Sequence, residues 1–176
     1  LTIEPDARAE EMQGPAFGIF APGGTAGTLA AMRDRATLDY FARRAPECRF
    51  ITSVCTGSLL LGAAGLLEGF KATSHWLTLD LLARFGAIPT CQRVVVDANR
   101  ITGAGVTAGM DFGLSMVRDL MGVDHASAVQ LLAEYDPEPP LHSGNPQLAS
   151  PDTVAMVRNY TAAFIAALEA AFPSRI

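Results

Sequence analysis

The sequence predicts an α/β fold, a mostly parallel sheet covered on both faces by helices. Two observations carry that reading. Short apolar runs bounded by turn residues alternate with segments of helical periodicity, the order a parallel sheet with crossover helices requires. The 176 residues, 49% of them hydrophobic, also suit a single core spanning residues 1–176.

The first clear element is "AFGIFAPGG", Ala16 to Gly24, a buried strand ended by Pro-Gly-Gly. In "GTLAAMRDRATLDYFARRA", Leu29, Met32, Leu38 and Phe41 recur at mostly helical spacing, which predicts one amphipathic crossover helix. "RFITSV", Arg49 to Val54, is again β-branched and buried. "TGSLLLGAAGLLEG" follows from Thr56 as a helix reaching Gly65 or Gly69. "KATSHW" is a short extended piece, and "LTLDLLARFG" is a helix stopped by Gly86. "RVVVDANRITGAG" is a strand pair turning at Asp97-Ala98-Asn99, where Asp and Asn tolerate unusual backbone angles. Two amphipathic helices come next, "TAGMDFGLSMVRDLMG" and "HASAVQLLAEYD". Pro137 to Pro151 holds five prolines and no periodicity, so it is a surface loop before a last helix from about Thr153 to Ala171. Residues 1–15 supply at most one short strand, Leu1 to Glu4. The expectation is therefore a fold entered partway, its N-terminal strand and helix missing from this chain.

Composition narrows the function. Thirteen Lys and Arg against eighteen Asp and Glu give a net charge of −5, and the basic residues are dispersed, which disfavours nucleic acid as a partner. No apolar stretch approaches the roughly 20 residues that cross a bilayer, so no membrane partner is expected. Three cysteines at irregular spacing, with no leader-like opening, predict a reduced, cytoplasmic location.

Cys55 holds the most telling position. It ends the strand "RFITSV" and precedes Thr56, Gly57 and Ser58, small enough for the sharp strand-to-helix turn of a nucleophile elbow. The free N–H groups of the first helical turn favour a thiolate, so a pKa near or below about 7 is expected. The other role open to Cys55 is that of a small core residue at a strand end. Gly23 and Gly24 end the neighbouring strand, either as N–H donors to a developing negative charge together with the Thr56 N–H or as glycines needed for the turn. His75 is either a base for the thiol or a hydrogen-bonded structural residue before Trp76. Cys48 and Cys91 read as packing or surface residues, and Asp111 and Glu134 as capping or solvated ones. His125 and His142 lack ligand spacing, so no metal site is expected.

The runs "APGG", "SVCTGSLLLGAAGLLEG", "KATSHW", "ITGAGVTAGMDFGL" and "EYDPEPPLHSGNP" occur in that order. Together they resemble the PfpI-like superfamily, with the class I glutamine amidotransferase-like fold, and most of all its isocyanide hydratases. The resemblance covers nearly the whole chain from about Ala16. It implies a flavodoxin-like three-layer sandwich, a homodimer, a small-molecule substrate and no cofactor. It implies that Cys55 attacks the terminal carbon of an isocyanide to form a thioimidate, which water hydrolyses to an N-formamide. Thr56 then helps to handle protons, and the backbone N–H groups of Gly24 and Thr56 form an oxyanion pocket lined further by Gly23 and His75.

Two departures qualify the resemblance. PfpI-type peptidases carry histidine directly after the nucleophile, where this chain has Thr56, which disfavours proteolysis. The acidic Asp-x-Thr-Gly-Pro-like segment of isocyanide hydratases has no counterpart here, and Asp6 in "EPDARAEE" does not match it. Two other classes share parts of the pattern. One is the ligand-sensing domain of AraC-type transcription regulators. The other is a redox or stress protein that uses Cys55 as an oxidation sensor.

Overall fold

The computed structural model describes residues 4–12 and 14–173. The strand expected at Leu1 to Glu4 lies outside the described residues except for Glu4, which is irregular. Chain order gives β1 (Gly18–Ala21), α1 (Ala26–Arg33), α2 (Arg35–Arg44), β2 (Phe50–Val54), α3 (Gly57–Ala63) and β3 (Lys71–Ala72). It continues with β4 (Ile88–Pro89), β5 (Val94–Asp97), β6 (Arg100–Gly103), α4 (Ala108–Met121), α5 (Val123–Leu132) and α6 (Pro151–Ala171).

The main sheet runs β1-β2-β6-β5, with β1, β2 and β6 parallel and β5 antiparallel at one edge. Period-2 alternation assigns its faces. Ile19, Ala21 and Ile51 are buried in a core with Met32 of α1 and Leu59 and Leu61 of α3. On the opposite face the Phe20 ring meets Phe112 of α4 at 6.1 Å, and Gly103 lies under Val54 and Phe112. Helix, sheet and helix form the expected three layers, with a mostly parallel sheet. β3 and β4 pair as a separate two-stranded ribbon.

Four local expectations differ from the structure. The single helix after β1 is broken at Asp34, whose backbone is extended at φ −82° and ψ 108°. Its carboxylate accepts the N–H groups of Ala36 at 3.3 Å and Thr37 at 3.1 Å, so Asp34 caps a new helix instead of continuing the old one. The segment before Gly86 is a 3-10 helix, Asp80–Phe85, ended by Gly86 at φ 76°. In the β5–β6 turn it is Ala98, and neither Asp97 nor Asn99, that takes the left-handed conformation, at φ 52°. Asp111 likewise is no solvated cap. It pairs with Arg93 at the start of β5 and accepts the Tyr135 hydroxyl at 3.3 Å, which clasps the chain after α5 to α4.

α6 crosses the molecule as its longest helix, about 30 Å at 1.5 Å per residue. Ser150 caps its start by accepting the Thr153 N–H at 3.2 Å. Near its end Arg84 donates to the Phe172 carbonyl at 2.6 Å, and the Phe85 and Phe172 rings lie 5.5 Å apart. Leu168 is buried in the core beside them. Among the described residues no helix is long and apolar enough to cross a membrane.

Candidate active site

Cys55 follows directly on β2 and has φ 61°, a left-handed conformation that non-glycine residues rarely adopt. Surrounding bonds hold it there. Its N–H donates to the carbonyls of Ala104 at 2.7 Å and Gly103 at 3.0 Å, which ties the turn to the end of β6. Its own carbonyl accepts the Ser74 hydroxyl at 3.0 Å. Small residues are obligatory on either side. A Cβ on Gly57 would stand 2.0 Å from the Ala21 carbonyl oxygen, and one on Gly23 would stand 2.6 Å from Cys55 Cβ. The expected elbow is therefore present, enforced by the close approach of α3 to the end of β1.

Thr56 serves as a clamp. Its hydroxyl donates to the Gly24 carbonyl at 2.7 Å, accepts the Gly24 N–H at 2.9 Å and lies 3.1 Å from the Thr28 hydroxyl. The Gly24 N–H is thus spent within the chain, and in this arrangement it cannot also hold an oxyanion as expected. Gly23 lies closer to the thiol: its position leaves 3.1 Å to both Cys55 Sγ and the Thr56 nitrogen for any added Cβ.

The thiol also departs from expectation in its acidity. Burial pushes the Cys55 pKa up, and this outweighs the opposing hydrogen bonds from the Thr56 backbone and side chain. Burial thus disfavours the thiolate, and the hydrogen bonds from Thr56 offset only part of the desolvation.

His75 lines the same cavity as Cys55. Its Nδ1 accepts the Leu77 N–H at 3.3 Å, so the proton of the neutral ring sits on Nε2. Burial lowers its pKa and keeps the ring neutral. Among the described residues no hydrogen bond joins it to Cys55, and with Nδ1 engaged it has no free lone pair for the thiol proton. Of the two roles open to His75, the geometry supports the hydrogen-bonded structural residue and does not support a base.

Together these groups open into a cavity of about 440 Å³ walled by Phe20, Val54, Leu77, Val106 and Phe164. Of the other two cysteines, Cys48 is buried and donates to the Arg44 carbonyl at 3.2 Å, and Cys91 is exposed on the surface. No group of three or more His, Cys, Asp and Glu side chains that could hold a metal occurs among the described residues. Sequence reasoning missed Thr28, Ser74 and Phe164. Thr28 and Ser74 carry no signal beyond being polar residues in apolar surroundings, and Phe164 comes from a helix far along the chain.

A cysteine in a left-handed turn at the carboxyl end of a parallel strand, in a three-layer sandwich, places the chain in a class of α/β proteins with a sharp strand-to-helix turn at that end of the sheet. This chain belongs to the DJ-1/PfpI family, whose model matches residues 1–119. It is 46% identical over 162 residues to isonitrile hydratase of Pseudomonas putida, which covers 92% of this chain and 70% of that protein. It is 30% identical over 139 residues to the HTH-type transcriptional regulator GbdR of Pseudomonas aeruginosa, covering 77% of this chain but 37% of the regulator. Among solved structures, a THiJ/PfpI family protein from Pseudomonas syringae superposes with a TM-score of 0.93 at 52% identity, over 97% of this chain and 70% of that one.

Proposed function

We propose that the protein hydrates isocyanides to N-formamides through Cys55. The observation that carries this is the strained cysteine elbow opening into an apolar cavity, in a chain 46% identical to an isonitrile hydratase. The thiol sulfur bonds to the electron-poor terminal carbon of R–N≡C and its proton ends on that carbon, giving the thioimidate Cys–S–CH=N–R. Water adds across the C=N bond, with its hydroxyl on carbon and its proton on nitrogen. The tetrahedral adduct collapses to R–NH–CHO, and the thiol leaves with the hydroxyl proton. No oxidant, metal or cofactor enters this balance.

Thr56 serves the reaction in two ways. Its N–H stabilises charge on sulfur, and its hydroxyl, bonded to Gly24 and adjacent to the thiol, offers a path for the proton leaving Cys55. Gly23 lets the chain pass close enough for the substrate carbon to reach Sγ. A thiol whose pKa is raised favours a mechanism in which proton transfer accompanies attack over one that waits for a preformed thiolate. The same raised pKa and half-buried setting weaken the oxidation-sensor reading, which needs an exposed, acidic thiol.

The protein is proposed to act in the cytoplasm as a homodimer. Support for the dimer comes from apolar side chains on α5 that the chain leaves uncovered, among them Leu131 at 81% and Leu132 at 90% exposure. The test is incubation with an aryl isocyanide, following N-formamide formation. Wild type is expected to give product, and Cys55→Ala none above the uncatalysed rate. Equal rates in the two would refute the proposal. The similarity to GbdR favours a second reading, in which the same pocket binds a small molecule without turning it over. Ligand binding that survives Cys55→Ala, with no product from wild type, would select it.

A further inference from the structure

We infer that α6 selects the substrate: Phe164, with Val106 at the mouth, limits the size of a neutral, apolar R group, and the pocket excludes isocyanides that carry a charge. This rests on the isocyanide reading above and adds which isocyanides the site admits.

The first argument is what the cavity lacks. No Asp, Glu, Lys or Arg is among the described residues that line it. Three of the hydroxyl groups that line it are engaged within the chain, and the fourth, Thr25, is exposed to water. Thr56 is bonded to Gly24 and Thr28, Thr78 to the His75 carbonyl at 3.1 Å and to Ser74 at 2.9 Å, and Thr161 to the Val157 carbonyl at 2.9 Å. His75 has spent Nδ1 on Leu77 and keeps only Nε2–H. A substrate carboxylate or ammonium entering this space would lose its water and find no partner charge, which costs several kcal/mol. A carboxylate would in addition lie near a thiol whose ionisation is already disfavoured, and would disfavour it further.

The second argument concerns where the walls come from. Phe20 and Val54 belong to β1 and β2 and Leu77 follows His75 after β3, whereas Phe164 is brought in by α6. Phe164 also packs against the buried core, so its ring bridges core and cavity. α6 is held at both ends of this stretch. Arg84 and Phe85 fix the end near Phe172, and Arg158 lies over the Trp76 ring at 5.1 Å, one residue from His75. A wall fixed in this way discriminates by size, because a larger R group must displace a packed aromatic ring. Val106 also lines the cavity and is 79% exposed, which puts it where the cavity meets water.

The experiment compares kcat/KM for methyl isocyanoacetate and isocyanoacetate, which share a skeleton and differ in one charge, and for adamantyl and cyclohexyl isocyanide, which differ in bulk. Wild type is expected to prefer the ester over the carboxylate by about 100-fold. Phe164→Ala is expected to raise the adamantyl-to-cyclohexyl ratio about 10-fold and Val106→Trp to lower it. Val106→Trp lies at an exposed position and keeps the test open if Phe164→Ala fails to fold. Equal rates for ester and carboxylate, or a ratio that stays constant in the folded variants, would overturn the inference. Calorimetric binding of N-cyclohexylformamide, N-adamantylformamide and N-formylglycine to Cys55→Ala, with and without Phe164→Ala, measures the same selection without turnover. Discrimination there upholds the inference even if no isocyanide is hydrated, and indiscriminate binding overturns it even if isocyanides are.

Discussion

The two helical layers of the sandwich are held in different ways. On the elbow side every residue of α3 from Gly57 to Gly62 is buried, and its backbone touches the end of β1. Two buried hydroxyls join that helix to the sheet and to the chain after β3, with Ser58 donating to the Thr73 carbonyl at 2.6 Å and lying 2.8 Å from Ser53 of β2. On the other side α4 buries only Ala108, and α5 buries no residue at all. The difference shows where precision is needed. The start of α3, next to the thiol, has no room for an added atom at Gly57, and the layer that bears α5 leaves its apolar side chains free for contact with something else.

The strongest way to break this contrast is an added methyl group in each layer. Gly57→Ala would place a Cβ 2.0 Å from the Ala21 oxygen and 2.7 Å from the Ala21 carbonyl carbon, backbone atoms that cannot rotate away. It is expected to destabilise by at least about 3 kcal/mol, or to prevent folding. Gly113→Ala in α4, where a Cβ meets nothing within 4 Å, is expected to be neutral or to stabilise by up to about 1 kcal/mol through helix propensity. Urea denaturation of the two variants measures both. Equal midpoints would remove the asymmetry.

A hydroxyl pair gives the next largest effect. Ser58→Ala leaves the Thr73 carbonyl and the Ser53 hydroxyl short of a partner in a fully buried site, at a cost of about 1 to 3 kcal/mol. Ser127→Ala on α5 removes an exposed bond to the Val123 carbonyl and is expected to change stability by no more than about 0.5 kcal/mol. Thermal melts separate the two.

The third prediction concerns the thiol that the rigid layer aims. Only the thiolate is alkylated, so with the Cys55 pKa raised by burial its iodoacetamide rate should climb about tenfold per pH unit between 7 and 8. It should still be rising past the ordinary thiol value of about 8.5. Thr56→Val removes a hydrogen bond that opposes the shift, and moves the midpoint further up. Mass spectrometry of the peptide carrying Cys55 follows both. A plateau below pH 7.5 would show that the helix N-terminus wins over desolvation after all.

That prediction reverses what the sequence suggested, and the reason is physical. The elbow was legible because its requirements are local: a β-branched run, then Cys55, then residues small enough for α3 to meet β1. The alternation of strands and helices was legible for the same reason. The sign of the thiol's pKa shift was not, because it depends on how deeply the folded chain buries Cys55, and the residues that share its cavity come from separate parts of the chain. The break at Asp34 hid inside a pattern whose apolar spacing continues through it. Gly24 illustrates a third kind of miss. Its place beside the elbow was readable from Pro-Gly-Gly, but the Thr56 hydroxyl that consumes its N–H becomes its neighbour only once β1 and β2 pair.

The smallest effect on folding, and the one that bears on assembly, is expected from α5. Leu131→Glu with Leu132→Glu replaces two side chains that the single chain leaves almost wholly in water, so each change should shift stability by no more than about 0.5 kcal/mol. The pH profile of Cys55 alkylation should be unaltered, since no residue of α5 lines the cavity. If a second copy covers this face, the same pair of charges must be buried without partners at the interface, and the dimer should dissociate. Sedimentation then reports half the wild-type mass, while the thermal melt and the thiol stay as they were. Loss of the fold together with the mass would mean that α5 supports the sheet as α3 does, and the contrast between the two layers would be wrong. A wild type that already sediments as a monomer would remove the reason for those uncovered leucines and the proposed dimer with it.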